Sequence, residues 1–571
     1  MSTVRPSRSP SRFLHPLVLL ALPLAAAPLA SAAERPAAGF DPFGEVVDVR
    51  LINVEVVVTD RTGARIHGLA PEDFRLLVDG EEVALDFFTE VRDRRAVDTG
   101  STADDATAPP SAPAGEAVGV SYLVYVDDYF PLARDRNAVL DQLAAHLGDL
   151  GPADRMAIVA YDDRRLDLLT GWTSSQEELA AAFAAARERP AHGLRQLAEL
   201  RNHDRTLALA GDARGADALR RTGVEDRAFA LEMAGRVRRS VAAATSAVRG
   251  FSSAPGRKVL LLLAGGWPYS AIGYASGDPT LVAPGEVADG GEILRPLVDA
   301  ANRIGYTVYP VDVPGLSRSG GSDVEQGGRL DPFSGADEQR FADFDSAVLV
   351  DREATLEDSL RHVARETGGE ALINSRRLAA LPAVRDDVGN YYWLGFTPPG
   401  DADDRRHGVR VVVDRPGLRV RTRQSYLDLT PAAERTLAVE GALVFGGRGG
   451  TAAAAVVGGF SAELGAAERD GRRIQVPLAV HIPTGMLTAV PDGAGWLARV
   501  ELRIGSRDGQ RRVSEVAAVP VELRFPEPPQ PGRHVTFRNT LRLRNADQVL
   551  VIQVTDPVGG ATRTTEAELV R

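Results

Sequence analysis

The side chains best equipped for chemistry gather in a few places. Asp127-Asp128 closes the apolar run Tyr122-Leu123-Val124-Tyr125-Val126, so two carboxylates stand where a strand gives way to a helix. With water such a pair could hold a cation weakly, but it offers too few fixed oxygens for the near-octahedral shell that Mg²⁺ demands. The plainer reading seats both at a helix N-terminus, whose dipole favours negative charge. Tyr161-Asp162-Asp163 and Asp401-Ala402-Asp403-Asp404 read as acidic loops, without the glycine and closing glutamate of a calcium loop. His192, His203 and Asp204 fall in a polar insertion between residues 190 and 222, at a spacing that fits no zinc pattern; a solvated loop is expected. His362 lies on the polar side of its helix, a surface position. Tyr391, Tyr392 and Trp393 belong to a strand and are read as core in preference to a binding platform. There is no cysteine, no G-x-S-x-G, no H-E-x-x-H and no P-loop. No catalytic residue, metal or cofactor is assigned.

The elements that must position these groups change character along the chain. Val54, Val56 and Val58 alternate in a half-buried strand, and Asp79-Gly80 marks a hairpin; residues 40–93 read as part of a small β-sandwich. Residues 94–117 hold almost nothing large and apolar and read as a flexible linker. From 118 to 375, short apolar strands alternate with helices: Tyr122–Val126, Met156–Tyr161, Leu166–Leu169, Lys258–Leu263, Thr307–Val311 and Glu370–Ile373 between helices that include Ile293–Ile304 and Leu356–Glu366. Continuous apolar strands are buried on both faces, so a doubly wound α/β sheet is expected. On the first helix Val139, Leu143, Leu147 and Leu150 form the apolar stripe, with Arg136 off it. Strands follow again at 389–427, and residues 430–571 read as all strands in an Ig-like β-sandwich. The segments 40–93 and 389–427 are each too small for a core of their own; the expectation is that they cover one another.

The first residues speak to compartment. Arg5, Arg8 and Arg12 precede an apolar run that ends at Ala30-Ser31-Ala32, the order of a secretory signal with cleavage after Ala32. Without cysteine there is neither a lipid anchor on sulfur nor a disulfide, so the fold stands on buried apolar area. No second stretch is long and apolar enough to span a membrane. The net charge is −12 with acidic and basic residues interspersed, which argues against nucleic acid as partner. Lysine is nearly absent, and arginine carries the positive charge.

Several segments in order carry a resemblance: NVEVVVTDRTGARIHGLAPEDFRLLVDGEEVALDFF from Asn53, VDAANRIGYTVYPVDVPGL from Val298, RHVARETGGEAL from Arg361, YYWLGFTPP from Tyr391 and VRVVVDRPGLRVRTRQSYL from Val409. Over about residues 45–427 the chain resembles the VWFA-related family first described from acidobacterial proteins, with a von Willebrand factor A-like domain from Val120. That family's metal-ion-dependent adhesion site places D-x-S-x-S after the first strand, a threonine from a later loop and an aspartate after the fourth strand. Asp127 matches the first position, but Tyr129 and Pro131 stand where the serines belong. Ala264-Gly265-Gly266-Trp267 brings no carboxylate after the fourth strand, and Thr206 and Thr222 are the candidates for the loop threonine. The resemblance thus implies a degenerate site and protein binding without a required cation.

The expected function is that of an exported, non-catalytic binding protein, periplasmic or secreted, whose protein partner the sequence does not name. A structural role in an envelope assembly is the alternative. The expected binding face combines Asp127, Asp128 and Tyr129 with Trp267, Tyr269 and Tyr274, exposed aromatics of the long insertion 264–292.

Overall fold

The computed structural model describes residues 50–97, 118–211, 216–252, 254, 256–265, 267–275, 285–313, 346–445, 459–493, 495–510 and 512–571. The expected signal segment and most of the expected linker lie outside these residues. Across them the chain is multidomain and mixed α/β, with many antiparallel sheets.

Strands β1 (Ile52–Thr59), β2 (Phe74–Val78), β3 (Glu81–Val83), β4 (Phe87–Arg92) and β5 (Arg95–Val97) come first. The linker expected from residue 94 therefore begins later, because Arg95–Val97 pairs with β4 and the Arg94 guanidinium binds the buried Asp154 carboxylate. The central sheet follows, with β6 (Val120–Asp127), β7 (Arg155–Tyr161), β8 (Leu166–Thr173), β9 (Arg257–Ala264) and β10 (Tyr306–Asp312) in the order β10-β9-β6-β7-β8. The first four of that row run parallel and β8 runs antiparallel at the edge. Every residue of β6 is buried, as its unbroken apolar run requires for a strand covered on both faces.

The covers are helices α1 (Ala133–Ala145), α2 (Gln176–Glu188), α3 (Gly193–Gly211), α4 (Ala216–Gly250), α5 (Ala271–Ala275), α6 (Gly290–Ile304), α7 (Ser346–Glu366) and α8 (Ala380–Gly389). Leu140 and Leu143 of α1, Phe183 of α2 and Val384 of α8 pack on one face with Tyr122, Val124 and Val126. On the other face Val237 and Val241 of α4, Leu297 of α6 and Leu360 of α7 meet Leu123 and Tyr125. Helix α6 shows how local sequence sets such an element. The Asp289 side chain caps its first turn by accepting from the Glu292 N–H at 2.8 Å, and Gly305 ends it at φ 83°, feeding the chain straight into β10.

Four expectations fail here for physical reasons. Within 190–222, Gly193–Gly211 and the residues from Ala216 are helical instead of a solvated loop. Leu197, Leu200 and His203 fall three apart on one buried stripe, a period hidden among charged neighbours. Glu370–Ile373 forms only a single bridge, Leu372 to Val311. Gly368 before it sits at φ 77°, and a side chain on Gly369 would strike the Val308 carbonyl, so this segment meets β10 closely at one parallel bridge without forming a full strand. Arg136 is fully buried, not off the buried stripe. Beyond Leu427 the chain is not all strands, since helix α9 (Pro431–Phe445) packs on α4. Thr430 caps it by accepting from the Ala433 N–H at 3.2 Å, with Pro431 in the first turn and Glu434 after it.

The small β segments before and after the central region pair strand to strand. With β11 (Tyr391–Phe396), β12 (Arg406–Val413), β13 (Arg419–Arg421) and β14 (Ser425–Leu427), one sheet runs β13-β1-β11-β4-β5 and another β14-β12-β2-β3. Val54, Val56, Phe74, Leu76, Phe88, Leu394 and Val411 share one apolar core between them. The Asp387 carboxylate of α8 joins this β region to the central sheet: it takes Arg65 and Arg421 from one side and the Tyr309 hydroxyl at 2.5 Å from the other. Strands from Ser461 to Leu569 then form further antiparallel sheets around Val476, Leu502 and Ile552. Among the described residues no helix is long and apolar enough to cross a membrane.

Candidate functional site

Strand β6 delivers Asp127 and Asp128 to the carboxyl end of the central sheet, where the chain turns through Tyr129–Leu132 into α1. Asp127 is wholly buried. One carboxylate oxygen accepts the Tyr129 backbone N–H at 2.9 Å, and the other accepts the Trp267 indole N–H at 2.8 Å. Burial pushes its pKa up to about 7, against the pull of those two donors. The neighbouring Asp128, also wholly buried, is bound by Arg136 at 2.6 Å and Arg189 at 2.5 Å. Arg136 further donates to the carbonyls of Arg187 and Arg189, at 3.0 and 2.8 Å, and so ties the end of α2 to the start of α1. Both carboxylates are spent on internal partners.

Their surroundings close the site. Tyr129 is buried and meets Phe130 edge to face with ring centroids 5.0 Å apart. Pro131 turns its carbonyl to the Gly193 N–H at 3.1 Å. Trp267 is 1% exposed and Tyr274 0%, with the Arg352 guanidinium 5.7 Å from the Tyr274 ring centre. Tyr269 is partly buried beside His362, ring centroids 5.3 Å apart. Trp267 and Tyr274 are thus core where exposure was expected, and Tyr269 is half-buried against them. Large rings recover more by leaving water than by lining a loop, and α5 and α7 give them the surface to pack on. Asp312, closing β10, is pushed up to about 6 by burial, with Arg377 3.7 Å away opposing.

The other candidates resolve into structural contacts. His203 is buried, 3.0 Å from Asp226 and stacked on Phe229 at 4.2 Å, while Asp204 pairs with Arg352 at 2.7 Å. Asp162 accepts two N–H groups of its own turn, from Arg164 and Arg165, and Asp163 pairs with Arg239 at 2.8 Å. Thr206 donates within its helix to the Asn202 carbonyl; the side chain of Thr222 lies outside the described residues. Tyr391 and Tyr392 are buried and Trp393 partly so.

Asp403, His407 and Asp428 bring one ligand atom each within 4.8 Å of one another, the geometry of a small metal cluster. Yet Asp428 binds Arg50, and the two ring nitrogens of His407 face Asp79 at 2.8 Å and Asp403 at 3.1 Å. Burial presses the His407 pKa down, but those two carboxylates outweigh it and raise the value, which favours the protonated ring over the neutral form a metal needs. Thr536, His481 and Glu463 form a hydroxyl–imidazole–carboxylate row, with contacts of 3.1 and 3.7 Å. The second is too long for a hydrogen bond, and the row lies across neighbouring strands of an open sheet.

Arg136 and Arg189, which fix Asp128, were not recognisable as partners from spacing alone. The available signal was an arginine three residues before the buried Val139 on the same helix. The sequence matches no protein-family model, and no curated protein is significantly similar to it.

Proposed function

We propose that the chain is a non-catalytic binding protein on a von Willebrand factor A-like scaffold, exported to the periplasm or beyond, which engages a protein partner without a bridging cation. The sheet order β10-β9-β6-β7-β8, with its antiparallel edge strand and helices on both faces, is consistent with that scaffold. The observation that carries the reading is the Trp267 indole N–H on Asp127. In an adhesion site of this kind that aspartate would help hold the cation, and the serine positions would add hydroxyls. In this chain a neutral donor meets the carboxylate, Tyr129 and Pro131 stand at the serine positions, and Arg136 and Arg189 neutralise Asp128.

Since the expected face is largely buried, the reading assigns partner contact to surface around the carboxyl end of the sheet and not to Trp267 or Tyr274. A scaffold role in an envelope assembly has one feature in its favour, the locking of the central sheet to the β region through Asp387. Crosslinking capture from the native periplasm, in Mg²⁺ and in EDTA, tests the proposal. Equal recovery of the same partner in both is expected; capture that requires Mg²⁺ would overturn it.

A further inference from the structure

At the opposite, amino-terminal end of the central sheet a cavity of about 420 Å³ opens against β1, β11 and the chain leading into α9. Arg257 and Lys258 enter its wall from the start of β9, Arg303 from the end of α6 and Trp393 from β11. Two further cations there are matched: Arg50 binds Asp428, and Arg423 binds Glu55 at 2.7 Å. The first three are not matched in the same way.

Arg257 is 6% exposed, spans the Tyr391 ring at 4.1 Å and donates to the Val388 carbonyl at 3.2 Å, while its Nε has no partner. Lys258 donates only to neutral carbonyls, of Ser252 and Ile304, each at 2.9 Å. Arg303 has a buried Nε without an acceptor, and burial with Arg249 nearby presses its pKa down against the pull of Asp299, Glu440 and Asp404. The buried Trp393 indole N–H also lacks an acceptor. Five cations and three carboxylates, Glu434 being the third, line this wall in a chain whose net charge is −12. Burial, with Arg423 nearby, presses Lys258 down to about 8, although Glu55 pulls the other way. That is the behaviour of a cation short of counter-charge.

Orphaned donors in a buried wall call for an acceptor, and an excess of positive charge calls for an anion. The volume is within the range of small-molecule sites, roughly 300–1,000 Å³, and is large for a bare oxyanion. We propose that this cavity binds a small organic dianion, a phosphate monoester or a dicarboxylate. Its charged head lies between Arg257, Lys258 and Arg303, and its body lies along the Trp393 indole. Guanidinium groups suit either head, since both present paired oxygens to the planar fork.

The chain has a single lysine, Lys258, so isotope-labelled lysine gives one side-chain NMR signal from within the cavity. The intact protein is titrated at neutral pH with phenyl phosphate, with isophthalate and with neutral phenol. Either anion should shift the Lys258 signal saturably and raise its pKa, and phenol should not; a response to one anion alone identifies the head group. Arg303→Gln should weaken that anion about tenfold, ~1.4 kcal/mol, and Trp393→Phe more modestly, with unchanged circular dichroism in both. No saturable shift with either anion at millimolar concentration, an equal shift with phenol, or undiminished binding in folded Arg303→Gln would overturn the proposal.

Discussion

The two ends of the central sheet place buried charge in opposite ways. At the carboxyl end, Asp127 and Asp128 are wholly buried and each is met by donors from the chain itself, Trp267 for one and Arg136 with Arg189 for the other. At the amino end, Arg257, Lys258 and Arg303 line an open cavity; the first two rest mainly on carbonyls and an aromatic face, and the Nε of Arg303 has no acceptor. Open α/β sheets ordinarily receive ligands at the carboxyl end of their strands. Here the two aspartates of that end are met by the protein's own side chains, while cations held by carbonyls and an aromatic face line a cavity at the other. Where donors and acceptors are already paired, adding a ligand gains little; where they are orphaned, a ligand restores bonds that burial removed.

The contrast breaks most visibly at Arg136. Arg136→Met leaves the buried Asp128 with Arg189 alone, and losing half of a buried ion pair costs about 3–5 kcal/mol. A urea melt should show that fall. Arg303→Gln at the amino end should shift the midpoint by far less.

The next effect is one of pH. Asp127 titrates near 7 in the folded chain, above the ordinary carboxylate value. Between about pH 4 and 7 the folded state therefore holds a proton that the unfolded state has released. Stability contributed by this group falls as pH rises through that window and levels off above it. Relative to Asp127→Asn, which does not titrate, the native protein should lose up to about 4 kcal/mol across the window, at ~1.4 kcal/mol per unit. A difference that stays flat, or that grows with pH, would contradict the closed and desolvated carboxyl end.

A smaller loss is expected from Trp267→Phe. The ring volume is largely kept, but one oxygen of Asp127 loses its donor, at a cost of about 1–3 kcal/mol. Because the indole N–H stabilises the ionised form, the Asp127 pKa should rise further, which carboxyl NMR would register. An unchanged pKa would mean that the indole is not the group that meets the carboxylate.

Period and apolarity made much of this legible. The alternation of Val54, Val56 and Val58 marks a buried face, and the unbroken runs ending at Asp127 and Ala264 mark strands covered on both sides. Charged residues on buried stripes were the main source of error. Arg136 and His203 read as solvent-facing because their partners, Asp128 and Asp226, come together only in three dimensions. Helix α9 was signalled by Thr430-Pro431 and Glu434, but the strand pattern around it masked a short helix. At the site, Asp127 could be found from its strand end. Trp267 looked like an exposed loop aromatic because no local pattern tells an indole that packs inward from one that does not. The amino-end cavity left no local mark, since its residues come from β1, β9, α6 and β11, far apart in the chain.

The most direct test asks whether the carboxyl end takes a cation at all. Thermal unfolding of the intact protein is followed in EDTA and across a millimolar titration of Mg²⁺. A cation at 100 times its Kd would stabilise the native state by ~2.7 kcal/mol. With Asp127 held by Trp267 and Tyr129, and Asp128 by two arginines, Tm should not move. A saturable rise of several degrees that Asp127→Ala abolishes would contradict the account.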